Sequence, residues 1–257
     1  MGKKGTKKYK KTDIDEYIEE ELFNYFDFKS LNYNNQSVKK DECSIKESSL
    51  TKPKNENQNI YFEFLKNKEI KVILATGPAG TGKTMLPSER AILNLLNNKI
   101  EKIIITRPVV TADEEIGFLP GDLKDKMAPW MRPIYDMFHQ FMSPEKLQKY
   151  IFEEKIEIVP LAFMRGRTFK NSFIIADEMQ NATCSQMKMI LTRIGEKSKI
   201  IITGDLEQHD RIKEKSGLED FINRIKNYEG TGIKHIKFFA KDIEREQIVR
   251  DILNLYD

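Results

Sequence analysis

The stretch Lys71-Val72-Ile73-Leu74-Ala75-Thr76-Gly77-Pro78-Ala79-Gly80-Thr81-Gly82-Lys83-Thr84-Met85 decides the fold. Its apolar opening reads as a short strand, and Met85 to Leu96 reads as a helix. Between them Gly77 to Thr84 fits the spacing GxxxxGK[ST], and strand, Gly-rich loop and helix in that order are the context this loop requires. The chemistry follows from the residue types. Glycines let backbone N–H groups converge on phosphate oxygens, and the helix start adds a favourable dipole. Lys83 then reaches the terminal phosphates and the Thr84 hydroxyl is placed to hold Mg²⁺. Gly77, Pro78, Ala79, Gly80, Thr81, Gly82, Lys83 and Thr84 are therefore the expected contacts of a nucleoside triphosphate.

Working outward, five more short apolar runs repeat the strand pattern: Lys102 to Thr106, Ile156 to Val159, Phe173 to Ala176, Lys199 to Thr203 and Ile233 to Phe239. Helical patterns fall near 84–97, 129–142, 144–152, 183–194, 217–227 and 244–255. Most of the strand candidates are continuously apolar rather than alternating, as strands covered on both faces by crossover helices are. The expected fold class is α/β, three layers around a mostly parallel central sheet.

Phe173 to Ala176 leads into Asp177-Glu178, two adjacent acids at a strand end, where ligands of parallel sheets gather. Asp177 is placed to hold Mg²⁺ through its water shell, and Glu178 to orient and deprotonate an attacking water. A further strand ends in Thr203-Gly204-Asp205, with Gln208 shortly after. Asp205 and Gln208 are read as polar sensors of the γ-phosphate or the attacking water. The guanine-reading pattern NKxD is missing, since Asn67-Lys68-Glu69-Ile70 and Asn98-Lys99-Ile100-Glu101 both lack its aspartate, and no LSGGQ-like segment occurs. GTPases and transporter-type ATPases are thereby disfavoured. Gln58, upstream of the loop, stands where a glutamine amide can pair with adenine.

A chain of 257 residues has room for one α/β domain of roughly 200 residues and an additional segment. Lys and Arg number 43 against 40 Asp and Glu, so a net charge of +3 selects no polyanion by itself. Two distant cysteines, Cys43 and Cys184, and three histidines suggest neither a disulfide framework nor zinc. Lysines at 3, 4, 7, 8, 10 and 11 precede an acidic stretch rather than a signal-peptide apolar core, and no apolar run approaches the ~20 residues of a membrane span. A cytoplasmic setting without membrane contact is expected. Residues 29–56 are polar and rich in Asn, Ser and Lys, and before them Ile14, Tyr17, Ile18, Leu22, Tyr25 and Phe26 are spaced for a short amphipathic helix. The expected division is 1–56, a basic tail, short helix and flexible linker, and 57–257, the catalytic domain.

Residues 57–257 resemble the PhoH-like family of P-loop ATPases, related to the core of superfamily one helicases. The resemblance rests on Gly77 to Thr84, Thr106-Arg107-Pro108, Gly117-Phe118-Leu119-Pro120-Gly121-Asp122-Leu123 and Arg132-Pro133-Ile134-Tyr135-Asp136. It rests also on Met164-Arg165-Gly166-Arg167-Thr168, Asp177-Glu178-Met179-Gln180-Asn181, Gln186-Met187-Lys188-Met189 and Thr203-Gly204-Asp205. It implies a RecA-like fold, ATP hydrolysis with Mg²⁺ and a role in RNA metabolism, in some relatives linked to phosphate starvation or to phage genomes. One stretch departs from the pattern. After Gly204-Asp205 the family carries an apolar, Pro-containing segment, whereas this chain has Gln208-His209-Asp210-Arg211-Ile212-Lys213-Glu214.

Phosphoryl transfer gains about 10³- to 10⁵-fold from an arginine at the γ-phosphate. Helicases with two RecA-like domains supply it from the second, and only one such domain is expected in this chain. An identical subunit is the economical donor, so a ring, in the simplest case a hexamer, is expected, with Arg245 the first candidate in trans and Arg165 and Arg167 its competitors. Arg107, Lys124, Lys126, Arg132, Arg165 and Arg167 are candidate contacts for single-stranded RNA or another nucleic acid, by charge neutralisation with stacking from neighbours such as Trp130. The leading expectation is an ATP-hydrolysing motor on single-stranded RNA, a helicase or translocase. Its alternative is a nucleotide-dependent switch or small-molecule kinase that does not translocate.

Overall fold

A computed structural model of the chain describes residues 46–108, 123–208, 216–245 and 248. The six expected strands all form: β1 (Val72–Thr76), β2 (Lys102–Arg107), β3 (Ile156–Pro160), β4 (Ser172–Ala176), β5 (Lys199–Gly204) and β6 (Ile233–Lys237). They make one sheet in the order β3-β2-β4-β5-β1-β6, and every pairing is parallel. β5 separates β1, which feeds the glycine loop, from β4, which carries the acid pair. Register brings their ends level: Thr76 pairs with Gly204, and Ala176 with Ile202. This is the three-layer α/β arrangement that the alternation of strands and helices predicts, and it agrees with the RecA-like fold that the family resemblance implies.

The described helices are α1 (Glu56–Lys66), α2 (Met85–Leu96), α3 (Leu123–His139), α4 (Pro144–Phe152), α5 (Cys184–Leu191) and α6 (Gly217–Ile225). Local chemistry sets their ends. Asn55 caps α1 by accepting from Gln58 N, Ser216 caps α6 by accepting from Glu219 N, and Thr183 with Gln186 forms a reciprocal capping box on α5. Pro87 is tolerated in α2 because it falls in the first turn, where an N–H has no intrahelical acceptor.

β1 to β5 are buried on both faces, whereas β6 at the sheet edge is mostly half-buried. Val72, Leu74, Ile104, Ile174, Ile200 and Ile202 form one cluster with Met187 and Ile190 of α5 and Leu218 of α6. The intervening Ile73, Ile103, Ile105, Ile175 and Ile201 point to the other face by the pleat and are equally buried. There α1 and α2 pack against each other and against the strands, α1 on β1 and β6, α2 on β2 and β4. At roughly 1.5–3 kcal/mol for each large apolar side chain removed from water, these two layers are the main source of stability.

The chain divides into two compact units. One comprises 44–111 and 153–257 and contains the whole sheet; the other comprises 1–43 and 112–152, of which α3 and α4 are described. In the second unit, Met131, Ile134, Tyr135 and Phe138 of α3 and Leu147 of α4 are buried at helical spacing.

Two features differ from the sequence reading. Helix α1 was not expected; its signal, Tyr61 and Leu65 four residues apart and both buried, lies behind a polar run that masks it. Residues 46–56, read as the end of a flexible linker, are docked instead. Leu50 is buried, Thr51 donates through N and Oγ1 to Glu89 of α2, and Arg90 donates to Glu47 at 2.9 Å while lying 4.7 Å from the Phe62 ring. Buried Glu89 and Arg90 require such partners, and polar residues 47–51 supply them. The helix expected before the linker, and all but a few residues of the one expected at 244–255, lie outside the described residues.

Candidate nucleotide site

At the C-terminal ends of β1, β5 and β4, a cavity of about 500 Å³ is lined by the glycine loop, Asp177, Glu178, Asp205 and Gln208, and by Thr51, Lys54, Gln58, Glu244 and Arg245. The size is that of a small-molecule site. Gly77, Gly80 and Gly82 all have positive φ, +133°, +83° and +84°, conformations that favour glycine. Two of these positions also admit close approach: a Cβ on Gly77 would stand 2.3 Å from the Phe238 carbonyl oxygen, and one on Gly80 2.7 Å from Arg245 Nε.

Lys83 donates to the carbonyl of Pro78 at 2.6 Å, within its own loop. Burial lowers its pKa, while Asp205, Glu178 and Asp177 pull the other way. Its backbone carbonyl accepts from the hydroxyl of Tyr61, a residue with no exposed surface that meets Phe238 edge-on at 5.7 Å. Burial, with a smaller push from Asp177, raises the Tyr61 pKa, so the phenol stays a donor. Thr84 Oγ1 donates to Asp177 Oδ1 at 2.9 Å, and Thr203 Oγ1 donates to the same oxygen. A hydroxyl and a carboxylate brought together from loop and strand are the donor set for a divalent cation that also takes phosphate oxygens. Among the described residues no group of three or more His, Cys, Asp or Glu forms a metal site without such a ligand.

Glu178 has left-handed backbone angles, φ 52° and ψ 37°, unusual for a side chain with a Cβ, and caps the short turn Met179–Asn181. Gln180, 1% exposed, holds it: Nε2 donates to Glu178 Oε2 at 2.6 Å, and Oε1 accepts from Asp205 N at 3.1 Å. An amide oxygen committed to an N–H leaves only the NH₂ end for Glu178, so the amide has one possible orientation. The same Nε2 lies 3.4 Å from the Gln208 carbonyl. Asp205 itself accepts from Glu207 N at 3.1 Å. Gln180 thus ties Glu178 at the end of β4 to Asp205 and Gln208 after β5, a link that the sequence did not reveal.

The structure brings together Ala79, Gly80, Gly82, Lys83 and Thr84 of the loop with Asp177, Glu178, Asp205, Gln208, Gln58 and Arg245 around one cavity, while Gly77, Pro78 and Thr81 shape the loop without lining it. It gives Gln58 partners at both ends inside the chain: Oε1 accepts from Lys54 N at 2.9 Å and Nε2 donates to Thr81 O at 3.1 Å. Pairing with adenine would require those bonds to be exchanged, and in the present arrangement Gln58 braces the loop. Arg245, expected to serve a neighbouring subunit, lies against this chain's own Gly80. Arg167 is ion-paired to Glu157 at 2.7 Å and stacks over Phe169 at 4.6 Å, and Arg165 is exposed; neither lines the cavity. Arg107 ends β2 half-buried, and Arg132 is exposed on α3. The side chains of Lys124, Lys126 and Trp130 lie outside the described residues.

The chain is 41% identical over 216 residues to a PhoH-like protein of Synechocystis, covering 84% of this chain and 65% of that one. It is 44% identical over 201 residues to a PhoH-like protein of Bacillus subtilis, covering 78% and 62%. It therefore spans less than two thirds of the length of either relative. Among solved structures, the UvsW helicase of bacteriophage T4 aligns with a TM-score of 0.45 at 16% identity, over 73% of this chain and 61% of that one. The P-loop, the acids it meets and the nucleotide-sized cavity make this a nucleotide-binding P-loop protein. With the description PhoH-like protein matching residues 50–257, the chain belongs to the PhoH-like family.

Proposed function

We propose that the chain hydrolyses ATP and couples hydrolysis to single-stranded RNA as a cytoplasmic motor, a helicase or translocase of RNA metabolism. The observation that carries the hydrolytic part is Glu178, fixed by the neutral Gln180 amide on the rim of a cavity whose other walls are Lys83, Thr84 and Asp177. A neutral donor on one carboxylate oxygen leaves the negative charge in place and the other oxygen available for a water proton. Lys83 would exchange the Pro78 carbonyl for phosphate oxygens. Backbone N–H groups of the loop would orient the triphosphate, and Asp205 with Gln208 would register the γ-phosphate from the end of β5. Mg²⁺ would be held by Thr84 and, through water, by Asp177, and would supply charge neutralisation at the terminal phosphates.

A water-orienting carboxylate favours hydrolysis over transfer to a bound metabolite. The RNA part is supported by family membership and by cationic side chains outside the cavity, Arg107 at the end of β2 with Arg132 and Arg165. A ring of copies belongs to the same proposal, as an assembly around the strand. Among the described residues no helix is long and apolar enough to cross a membrane. The test is ATP turnover by the purified protein with and without single-stranded RNA, with Lys83→Ala as the control. RNA-stimulated turnover that the substitution abolishes supports the motor. RNA-independent turnover supports a nucleotide-dependent switch, and transfer of phosphate to a metabolite supports a kinase.

A further inference from the structure

The segment after β6 folds back over the glycine loop. Phe238 N donates to Thr76 O at 2.7 Å, prolonging the pairing with β1, and Glu244 N donates to Gly80 O at 3.0 Å. Between these two points the turn Ala240–Asp242 is pinned from the other side. Asp242 Oδ2 accepts from Phe239 N at 2.9 Å and from Asn57 Nδ2 at 2.7 Å, and Asn55 Nδ2 reaches the Asp242 carbonyl at 3.3 Å. Asp242 is 3% exposed, so these bonds are made away from water and hold the strap firmly. Arg245 follows directly. Its stem crosses the open face of Gly80, with Nε 2.7 Å from where a Cβ would be, and its side chain lines the cavity that Glu178, Asp205 and Lys83 also line.

We propose that Arg245 acts in cis: its guanidinium contacts the terminal phosphates of the triphosphate held by the same chain, so that the hydrolytic site is complete within one protomer. This rests on the ATPase reading above. The loop's N–H groups from Gly80 onward surround the β- and γ-phosphates in this motif, so a cation lying across Gly80 is within one side chain's reach of them. In the reaction the water oxygen forms a bond to the γ-phosphorus, and the bond from that phosphorus to the β–γ bridging oxygen breaks. The bond's electron pair stays on the ADP oxygen and the water proton passes to Glu178. Arg245 would neutralise charge building on the γ-phosphoryl and bridging oxygens. Because the strap places it in advance, little reorganisation is required. An arginine from a neighbouring subunit then has no vacant role, and a ring, where one forms, serves something other than completing the chemistry.

The test compares wild type, Arg245→Ala and Arg245→Lys in steady-state ATP hydrolysis, and titrates each with ADP and with a non-hydrolysable ATP analogue. Arg245 is exposed, so the fold tolerates its replacement, and an unchanged melting curve verifies this. The expectation is a drop in kcat of roughly 10³-fold in Arg245→Ala. Loss of the preference for the triphosphate over ADP and partial recovery of turnover on adding free guanidinium should accompany it. Equimolar mixing of Arg245→Ala with Lys83→Ala should give no more than the summed activities, and wild-type specific activity should not change on dilution. Activity regained in the mixture would move the arginine to a neighbouring subunit and overturn the proposal, as would Arg245→Ala within about threefold of wild type. If wild type binds the triphosphate without hydrolysing it, the ATPase reading fails. The contact is then still supported by a triphosphate preference lost in Arg245→Ala, and overturned by one that persists.

Discussion

Glu157 and Asp205 are carboxylates of nearly equal burial, 8% and 7% exposed, on the same sheet, yet they are held by opposite kinds of partner. Glu157 on β3 meets two cations, Lys102 at 2.5 Å and Arg167 at 2.7 Å, and its charge is spent inside the protein. Asp205 after β5 accepts from a backbone N–H, and its cavity neighbours Glu178 and Asp177 are held by an amide and by two threonine hydroxyls. Burying charge is costly unless it is compensated. Where cations compensate it, the charge has become part of the architecture. Where neutral donors hold the carboxylates and the nearest cation, Lys83, acts on them through its field, the charge faces the cavity. The comparison separates an acid paired to cations within the sheet from acids that line the cavity.

Of the substitutions that break this comparison, the largest effect should come from Lys83, whose Nζ donates to the Pro78 carbonyl of its own loop. Lys83→Ala should lower turnover by roughly 10²- to 10³-fold, as loss of a positioned transition-state donor does, with the melting temperature nearly unchanged. Phosphate release and a melting curve on the same sample check both. Gln180→Ala comes next. It removes the donor to Glu178 and the acceptor for Asp205 N together, and misplacing the base costs up to about 10²-fold in kcat. The nucleotide affinity should move much less, and a kcat against KM comparison reads the difference. Should Gln180→Ala instead change only stability, the amide would be a packing element and the orienting role would fall.

Across the sheet the pattern inverts. Glu157→Gln should leave turnover per folded molecule unaltered but lower the unfolding free energy by about 1–3 kcal/mol, since Lys102 and Arg167 lose a charged acceptor. Urea denaturation measures it. A loss of turnover here would erase the contrast between the two acids.

The smallest effect concerns Lys199, whose Nζ donates to the carbonyls of Phe64, Leu65 and Asn67 at the end of α1, at 3.0, 2.9 and 2.8 Å. Burial, with lesser contributions from Lys71 and Arg90, brings its pKa down to about 8. The unfolded chain keeps a lysine near 10.4, so between about pH 8 and 10.4 the unfolded state binds more protons and stability rises with pH. Denaturation midpoints at pH 7.5 and 9.5 should show that rise, and Lys199→Met should flatten it. A midpoint falling over the same interval would mean that the three carbonyls hold the ammonium more strongly than burial disfavours it.

What the sequence revealed divides along the same physical line. Strands buried on both faces write themselves as apolar runs, and a phosphate loop needs particular residue types at fixed spacing, so β1 to β5, Gly77 to Thr84 and Asp177-Glu178 were legible; β6 at the edge, IKHIK, showed only through its neighbours Phe238 and Phe239. Helix α1 was not, because its buried side, Tyr61 and Leu65, is short and sits among Asn and Glu. Gln180 stood inside a recognised stretch, but its use depends on which atoms face Glu178 and Asp205 N, and that is a property of the folded backbone. The docking of residues 47–51 was hidden for a related reason: polar residues that satisfy a buried Glu89 and Arg90 look, in sequence, like solvated linker. Arg245 was singled out in the sequence as a donor to a neighbouring subunit. That it lies across this chain's own Gly80 depends on a strap whose hydrogen bonds run to Asn55, Asn57 and Gly80, far away in the chain.

The most direct test of the account is ATP turnover by wild type and Glu178→Gln side by side, with triphosphate affinity measured on both. The account predicts that Glu178→Gln binds the triphosphate as wild type does and turns it over roughly 10²- to 10⁴-fold more slowly, the contribution of a positioned base. Turnover in Glu178→Gln equal to wild type would contradict it, because the acid left charged at the cavity rim would then have no part in the chemistry.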